Sequence, residues 1–244
     1  MSIRLASLAA ISVFATACNF GDGADAKDRD PGPEVSRNYQ VGAFNKIAVA
    51  GPYEVNVVSG GSPGISAKGG QNLLEETEVV VEGDTLKIMP KKRKGFRWGW
   101  SDHGKAVFTV NAANLSGAAI AGSGGIHIDQ TKTASFKGEV AGSGDLKVDG
   151  LEAQDVELSI AGSGNITAAG KTGKVAANIA GSGDLDAKGL IASDADVNIA
   201  GSGNIMAHAT SSADVSIMGS GDVEVTGGAK CNVNKHGSGD VRCS

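Results

Sequence analysis

The densest chemistry in the sequence is Lys91-Lys92-Arg93-Lys94-Gly95-Phe96-Arg97-Trp98-Gly99-Trp100-Ser101-Asp102-His103. Basic residues interleaved with aromatics suit an anionic polymer, because rings stack on sugar faces while cations neutralise charge. Lys91, Lys92, Arg93, Lys94, Arg97, Trp98 and Trp100 are therefore the candidate ligand-binding residues, for anionic glycans, lipopolysaccharide or peptidoglycan. The competing reading is structural. It makes the segment a long hairpin loop whose tryptophans cover one side of the fold while its lysines stay solvated.

A second set of polar residues recurs with a fixed spacing. Asp145, Asn165, Asp184, Asn204, Asp222 and Asp240 each follow a Gly-Ser-Gly triplet. Stacked at strand spacing, neighbouring carboxylates repel, and Asn165 and Asn204 separate most of them. Calcium is one use of such a ladder. The glycine-rich calcium solenoids, however, repeat every nine residues with Asp two places after a glycine, which this chain does not do. Turn-forming side chains on a solvated edge are the better reading. His103, His127, His208 and His236 fall at different repeat phases, and no His, Cys or Asp spacing fits a metal site. No metal, cofactor or catalytic residue is assigned.

These residues need a scaffold, and the triplet supplies its signature. Gly-Ser-Gly begins at Gly122, Gly142, Gly162, Gly181, Gly201, Gly219 and Gly237, at intervals of 18 to 20 residues. Repetition at such a period means a solenoid. After each triplet an aliphatic residue stands at every second position, as in Leu146 and Val148. Before it the same alternation runs through Val156, Leu158 and Ile160. That is the period of a strand with one buried face. Glycines and β-branched residues at every turn exclude an amphipathic helix. The fold class is all-β, a parallel β-helix with coils of about 20 residues. No aromatic follows Phe136, so the interior is narrow and lined by small aliphatics.

The last repeat departs from this pattern. Lys235 stands in the column of Ile160, Ile179, Ile199 and Ile217, as a polar cap against end-to-end growth would require. Cys231 and Cys243 both fall at inward positions of this coil. They are either a disulfide that staples the open end or two buried thiols, and an exported protein favours the bond.

Composition and the N-terminus give the address. The 244 residues, with 37 glycines and 4% aromatics, fit one domain or two small ones, and the net charge of −5 argues against nucleic acid as a partner. Arg4, the apolar run Leu5–Phe14 and Ala15-Thr16-Ala17 read as a signal peptide over residues 1–17. The run is too short for a permanent membrane span. Cys18 directly after it resembles a bacterial lipobox, which would make it the acylated anchor. Ordinary cleavage after Ala17, leaving an incidental cysteine, is the other reading. Residues 18–40 are polar and without period, and are expected to be a flexible tether.

Residues 41–243 form the expected head, with irregular coils over 41–115 and regular ones over 116–243. The motif Phe44-x-Lys46-Ile47-x-Val49-x-Gly51-Pro52-Tyr53-x-Val55-x-Val57 opens it. Gly83-Asp84-x-Leu86-x-Ile88 and Ala121-Gly122-Ser123-Gly124-x-Ile126 follow in order. This order and spacing resemble the bacterial family called putative auto-transporter adhesin, head GIN domain. The resemblance implies a parallel β-helical fold and an envelope or surface location, in the periplasm or at the outer membrane. It carries over no catalytic or binding residue. An auto-transporter's membrane barrel needs aromatic girdles, which the sequence after Phe136 lacks.

The expected protein is a non-catalytic envelope or surface adhesin or scaffold, lipid-anchored through Cys18. A glycan-binding module centred on residues 91–103 is the alternative. A β-helical polysaccharide lyase or hydrolase is a third reading, disfavoured because coils of such even length leave no loops to wall a cleft. Envelope or host polysaccharides and proteins are the candidate partners, and the oligomeric state is open.

Overall fold

The structure, a computed structural model, describes residues 31–60, 64–91 and 105–244. The first strands in chain order are β1 (Glu34–Tyr39), β2 (Lys46–Ala50), β3 (Tyr53–Ser59) and β4 (Gly64–Gly70). A short helix α1 (Gln71–Glu76) leads to β5 (Thr77–Glu82), β6 (Thr85–Pro90) and β7 (Ala106–Ala112). Then come β8 (Gly117–Gly122), β9 (Gly125–Ile128), β10 (Thr131–Lys132) and β11 (Ser135–Gly142). The long bent strands β12 (Asp145–Gly162), β13 (Asn165–Gly181), β14 (Asp184–Gly201) and β15 (Asn204–Gly219) follow. The described strands end with β16 (Val223–Thr226), β17 (Lys230–Gly237) and β18 (Val241–Cys243).

These strands stack as parallel coils about 20 residues apart, making a β-solenoid. The register is exact in sequence phase: Val156 faces Val175 and Val175 faces Ala195, while Ile160, Ile179, Ile199 and Ile217 align. Every second residue turns inward, and the columns of Ile, Val, Leu and Ala they form are almost fully buried. Burial of apolar area at about 25 cal/mol per Å² is what drives this stacking. The triplet makes the corner. Gly181 has φ 139°, and a Cβ there would be driven into the carbonyl oxygen of Gly162 one coil below. Only glycine accepts both conditions, so the corner recurs in every regular coil.

The chain enters the solenoid out of order. β2 is flanked by β6 on one side and β8 on the other, and β3 lies between β7 and β9. The rung made by residues 46–59 is therefore second in space, and the rung from β6 and β7 lies outside it. The antiparallel strands β4, β1 and β5 finish that end. Inside, Tyr53 and Phe108 pack edge-on with ring centroids 5.7 Å apart, and the Thr77 hydroxyl donates to the Leu73 carbonyl at 2.8 Å. β1 falls within the segment expected to be tether. Val35 and Tyr39 alternate towards the core, and the Tyr39 ring lies 6.3 Å from that of Phe108, so aromatic packing extends the fold upstream of residue 41.

Candidate functional site

The β6–β7 connection determines what residues 91–105 are. β6 pairs with β2 and β5, and β7 pairs with β3 and β4, so the two strands are not partners. The hairpin expected here is thus corrected. β6 and β7 are successive walls of the outermost parallel rung, aligned with β2 and β3, which Gly51-Pro52 joins, and then with β8 and β9, which Ser123-Gly124 joins. In sequence, residues 91–105 connect β6 to β7, where Gly51-Pro52 alone connects β2 to β3. Lys91 is exposed, and its ammonium donates to the Glu75 carbonyl at 2.7 Å. Lys92, Arg93, Lys94, Arg97, Trp98 and Trp100 lie outside the described residues, as does Cys18.

Beside this corner line the solenoid carries a groove of about 860 Å³. Two outward ladders form its floor. The first runs Met89, Ala50, Ala121, Ala141, Ala161, Ala180, Ala200 and Met218, one residue per rung. The second runs parallel to it through Lys87, Ala48, Ala119, Glu139, Ser159, Asn178, Asn198 and Ser216. At the parallel-strand spacing of about 4.8 Å, eight rungs extend for roughly 34 Å. From Ser159 to Ser216 each rung therefore presents one small or apolar side chain and one hydrogen-bonding side chain. Met218, at 68% exposure, closes the far end.

The ladders arise from the strand period. Ile160, Ile179 and Ile199 point inward, so the residues on either side point out. Alanines on one line and short polar residues on the next leave a trough. The ladder outside it bears longer side chains such as Lys46 and Lys137. The two charged groups on the floor are both engaged: Glu139 with Lys137 at 3.0 Å, and Lys87 with Glu82. Asn198 donates to Asn178 Oδ1 at 3.2 Å and to Asp196 Oδ1 at 2.8 Å. The sequence contains this trough as two outward period-two positions before each triplet, whose alanines and short polar residues carry no charge or aromatic signal.

The Asx ladder follows the opposite edge of the corner. Its side chains are spent on one another: Asn204 Nδ2 donates to Asp184 Oδ1 at 2.8 Å, and Asp240 N–H donates to Asp222 Oδ1 at 2.7 Å. Among the described residues no group of three His, Cys, Asp or Glu is placed to hold a metal ion. His127 Nε2 lies 2.6 Å from Asp149 Oδ2, and Lys147 lies 2.9 Å from Asp149 Oδ1. Hydrogen bonds from His127 first and Lys147 second hold the Asp149 carboxyl below its ordinary value. His208 Nδ1 is 3.1 Å from Thr226 Oγ1. Cys231 and Cys243 form a disulfide with Cα atoms 6.6 Å apart. No described helix is long and apolar enough to cross a membrane.

Comparison with known proteins adds a family and several folds. Residues 43–229 match the family described as "Putative auto-transporter adhesin, head GIN domain". A Bacteroides fragilis protein described as a putative adhesin superposes with a TM-score of 0.79 at 24% identity, covering 87% of this chain and 97% of that one. A Parabacteroides distasonis protein described as a putative lipid binding protein gives 0.70 at 26% identity, covering 87% and 97%. A putative adhesin from Parabacteroides merdae gives 0.67 at 22% identity, covering 88% and 98%. No curated protein matches the chain.

Proposed function

The chain belongs to the putative auto-transporter adhesin, head GIN domain family, and from that premise we propose that it is a non-catalytic, adhesin-like protein of the cell surface or envelope that holds an extended polysaccharide along the groove. One observation carries the reading. From Ser159 to Ser216 each rung offers a small or apolar side chain beside a hydroxyl or amide. A pyranose ring has an apolar C–H face and a rim of hydroxyls, and an extended β-1,4-linked chain advances by about one rung per sugar. Such a polymer lying along the solenoid axis meets the same pair of groups at every ring. Lys91 sits two residues beyond Met89 at the groove's end, so the basic and aromatic segment 91–103 is attached where an anionic glycan would continue. Acylation of Cys18 would anchor the head to a membrane.

The full chain is incubated with insoluble and soluble envelope and host polysaccharides, and retention and shorter products are followed together. Retention without products is expected. Ala161→Trp and Ala180→Trp, which fill the groove from exposed positions, are expected to abolish it while circular dichroism is unchanged. Retention untouched by both substitutions removes the groove from the reading, and shorter products that vanish on denaturation overturn the non-catalytic assignment.

A second reading has its own observation. In the rungs of Ala48–Ala50 and Ala119–Ala121 both ladders are alanine, giving a wholly apolar stretch, and the Parabacteroides distasonis neighbour is described as lipid binding. An acyl chain would lie there, and Ala121→Trp would block fatty-acid binding without affecting glycan retention further along.

A further inference from the structure

The last rung, β17 with β18, has a neighbour on one side only. Its outer edge is unpaired among the described residues. It covers Val215, Ile217, Val223 and Val225, each no more than 2% exposed, whereas its own inward Val233 is 45% exposed. A terminal unit of a linear array opens at the lowest free energy, because one of its two interfaces is missing. Two devices oppose opening. The Cys231–Cys243 bond ties β17 to β18 across the coil, and the Lys235 ammonium donates to the Gly239 carbonyl at 2.6 Å, over the end of the core.

The rung beneath is different in character. Residues 212–219 and 223–226 form two strands whose inward residues are apolar and whose outward residues include Asp214 and Glu224. Lys230, Lys235 and Arg242 of the covering rung outnumber its one carboxylate side chain, Asp240. With that rung closed, the end of the solenoid presents positive charge and a bonded lysine, so a second copy approaching end to end meets like charge. With it open, the end presents a flat apolar edge of unpaired strands, the kind that joins another edge.

We propose that the disulfide-held last rung is a redox-latched cap, and that reducing Cys231–Cys243 exposes the edge of residues 212–219 and 223–226 to the same edge of a second copy. A dithiol supplies two electrons and two protons. The S–S bond breaks, both cysteines become thiols, and the reductant closes to its own disulfide. The rung frays, and two identical edges meet across a two-fold axis, the arrangement in which one patch is its own complement.

The test compares the full chain before and after excess dithiothreitol, by light scattering and amide exchange. The oxidised protein is expected to be monomeric. The reduced protein is expected to double in mass, with exchange rising at least tenfold over residues 230–243 and unchanged over 140–200. Unchanged mass, or a doubled mass in both states, overturns the proposal. Cys231→Ser with Cys243→Ser should dimerise without reductant. Adding Ile217→Lys moves the lysine cap one rung inward and should restore the monomer. If that variant keeps its exchange pattern over 140–200 and still dimerises, the contact lies elsewhere and the proposal fails.

Discussion

Asn165 donates its side-chain amide to Asp145 Oδ1 at 2.8 Å, one coil away, and its own Oδ1 accepts the Asp184 N–H at 3.3 Å. The same relation recurs between Asn204 and Asp184. From Asp145 to Asp222 the alternation of Asp and Asn therefore keeps like charges two rungs apart, and only Asp222 and Asp240 are adjacent in this ladder. Asn204→Asp would leave four consecutive carboxylates, at 184, 204, 222 and 240. It is expected to cost about 1 kcal/mol at pH 7, a fall in Tm of roughly 2–4 °C for a chain of this size. Below the carboxylate range the repulsion is lost, so the gap to wild type should narrow on acidification. Asp240→Asn should be neutral or stabilising, because Asp222 is its only close carboxylate neighbour in the ladder. Thermal melts at pH 7 and pH 3 check both.

Gly181→Ala should be far more costly than its size implies. The new methyl group meets the Gly162 carbonyl, and the backbone there has φ 139°. A loss of roughly 2–4 kcal/mol is expected from strain and overpacking combined. Ser182→Ala, one residue on, removes an exposed hydroxyl and should change stability by less than about 0.5 kcal/mol. Urea midpoints of the two variants are the comparison, and similar midpoints would refute the steric account of the corner.

The Asp149 carboxyl titrates low because His127 and Lys147 hydrogen-bond to it. A folded-state value below the unfolded one means stabilisation that is present above the unfolded pKa and is lost as pH falls through the folded one. His127→Ala should move the Asp149 titration back towards the ordinary carboxylate range, while Lys147→Ala should move it less. Carboxyl chemical shifts followed through the acid range measure this, and an unmoved midpoint in His127→Ala would show that the imidazole has no part in it.

If glycan retention is observed, Trp98→Ala with Trp100→Ala should weaken it by about tenfold, the loss of one or two ring stacks at roughly 1 kcal/mol each. Lys92→Ala with Arg93→Ala should weaken only anionic glycans, and less so at high salt. Retention of all glycans at wild-type strength in both variants removes the 91–103 segment from the binding reading.

The regular coils were legible because their physics is one-dimensional. A residue's inward or outward fate follows from its phase relative to Gly-Ser-Gly, and Ile160, Ile179, Ile199 and Ile217 lie where that phase puts them. The N-terminal coils were not legible in the same way. Nothing in Lys46–Ala50 says that its neighbours are residues 85–88 and 117–121, because that order is set by pairings distant in sequence. The six-residue helix at Gln71–Glu76 was equally hidden, since its fit depends on Leu73 and Leu74 finding the core. The groove escaped notice for another reason. Alanine carries little polarity signal, and its meaning appeared only when six of them aligned.

The displaced second rung bears on how the chain comes to be folded. From Gly117 onward each rung can settle on the one made just before it, so ordering spreads through contacts some 20 residues apart, a short search of the kind that proceeds quickly. Residues 46–59 have no such support when they first leave a ribosome or a pore. Their two flanking rungs are 85–112 and 117–128, which do not yet exist. They must wait as an unpaired, aliphatic-rich stretch until the chain beyond them arrives. The slowest and most aggregation-exposed moment in this protein's life therefore falls at its beginning, and a chaperone that holds residues 46–59 would act where it is needed most.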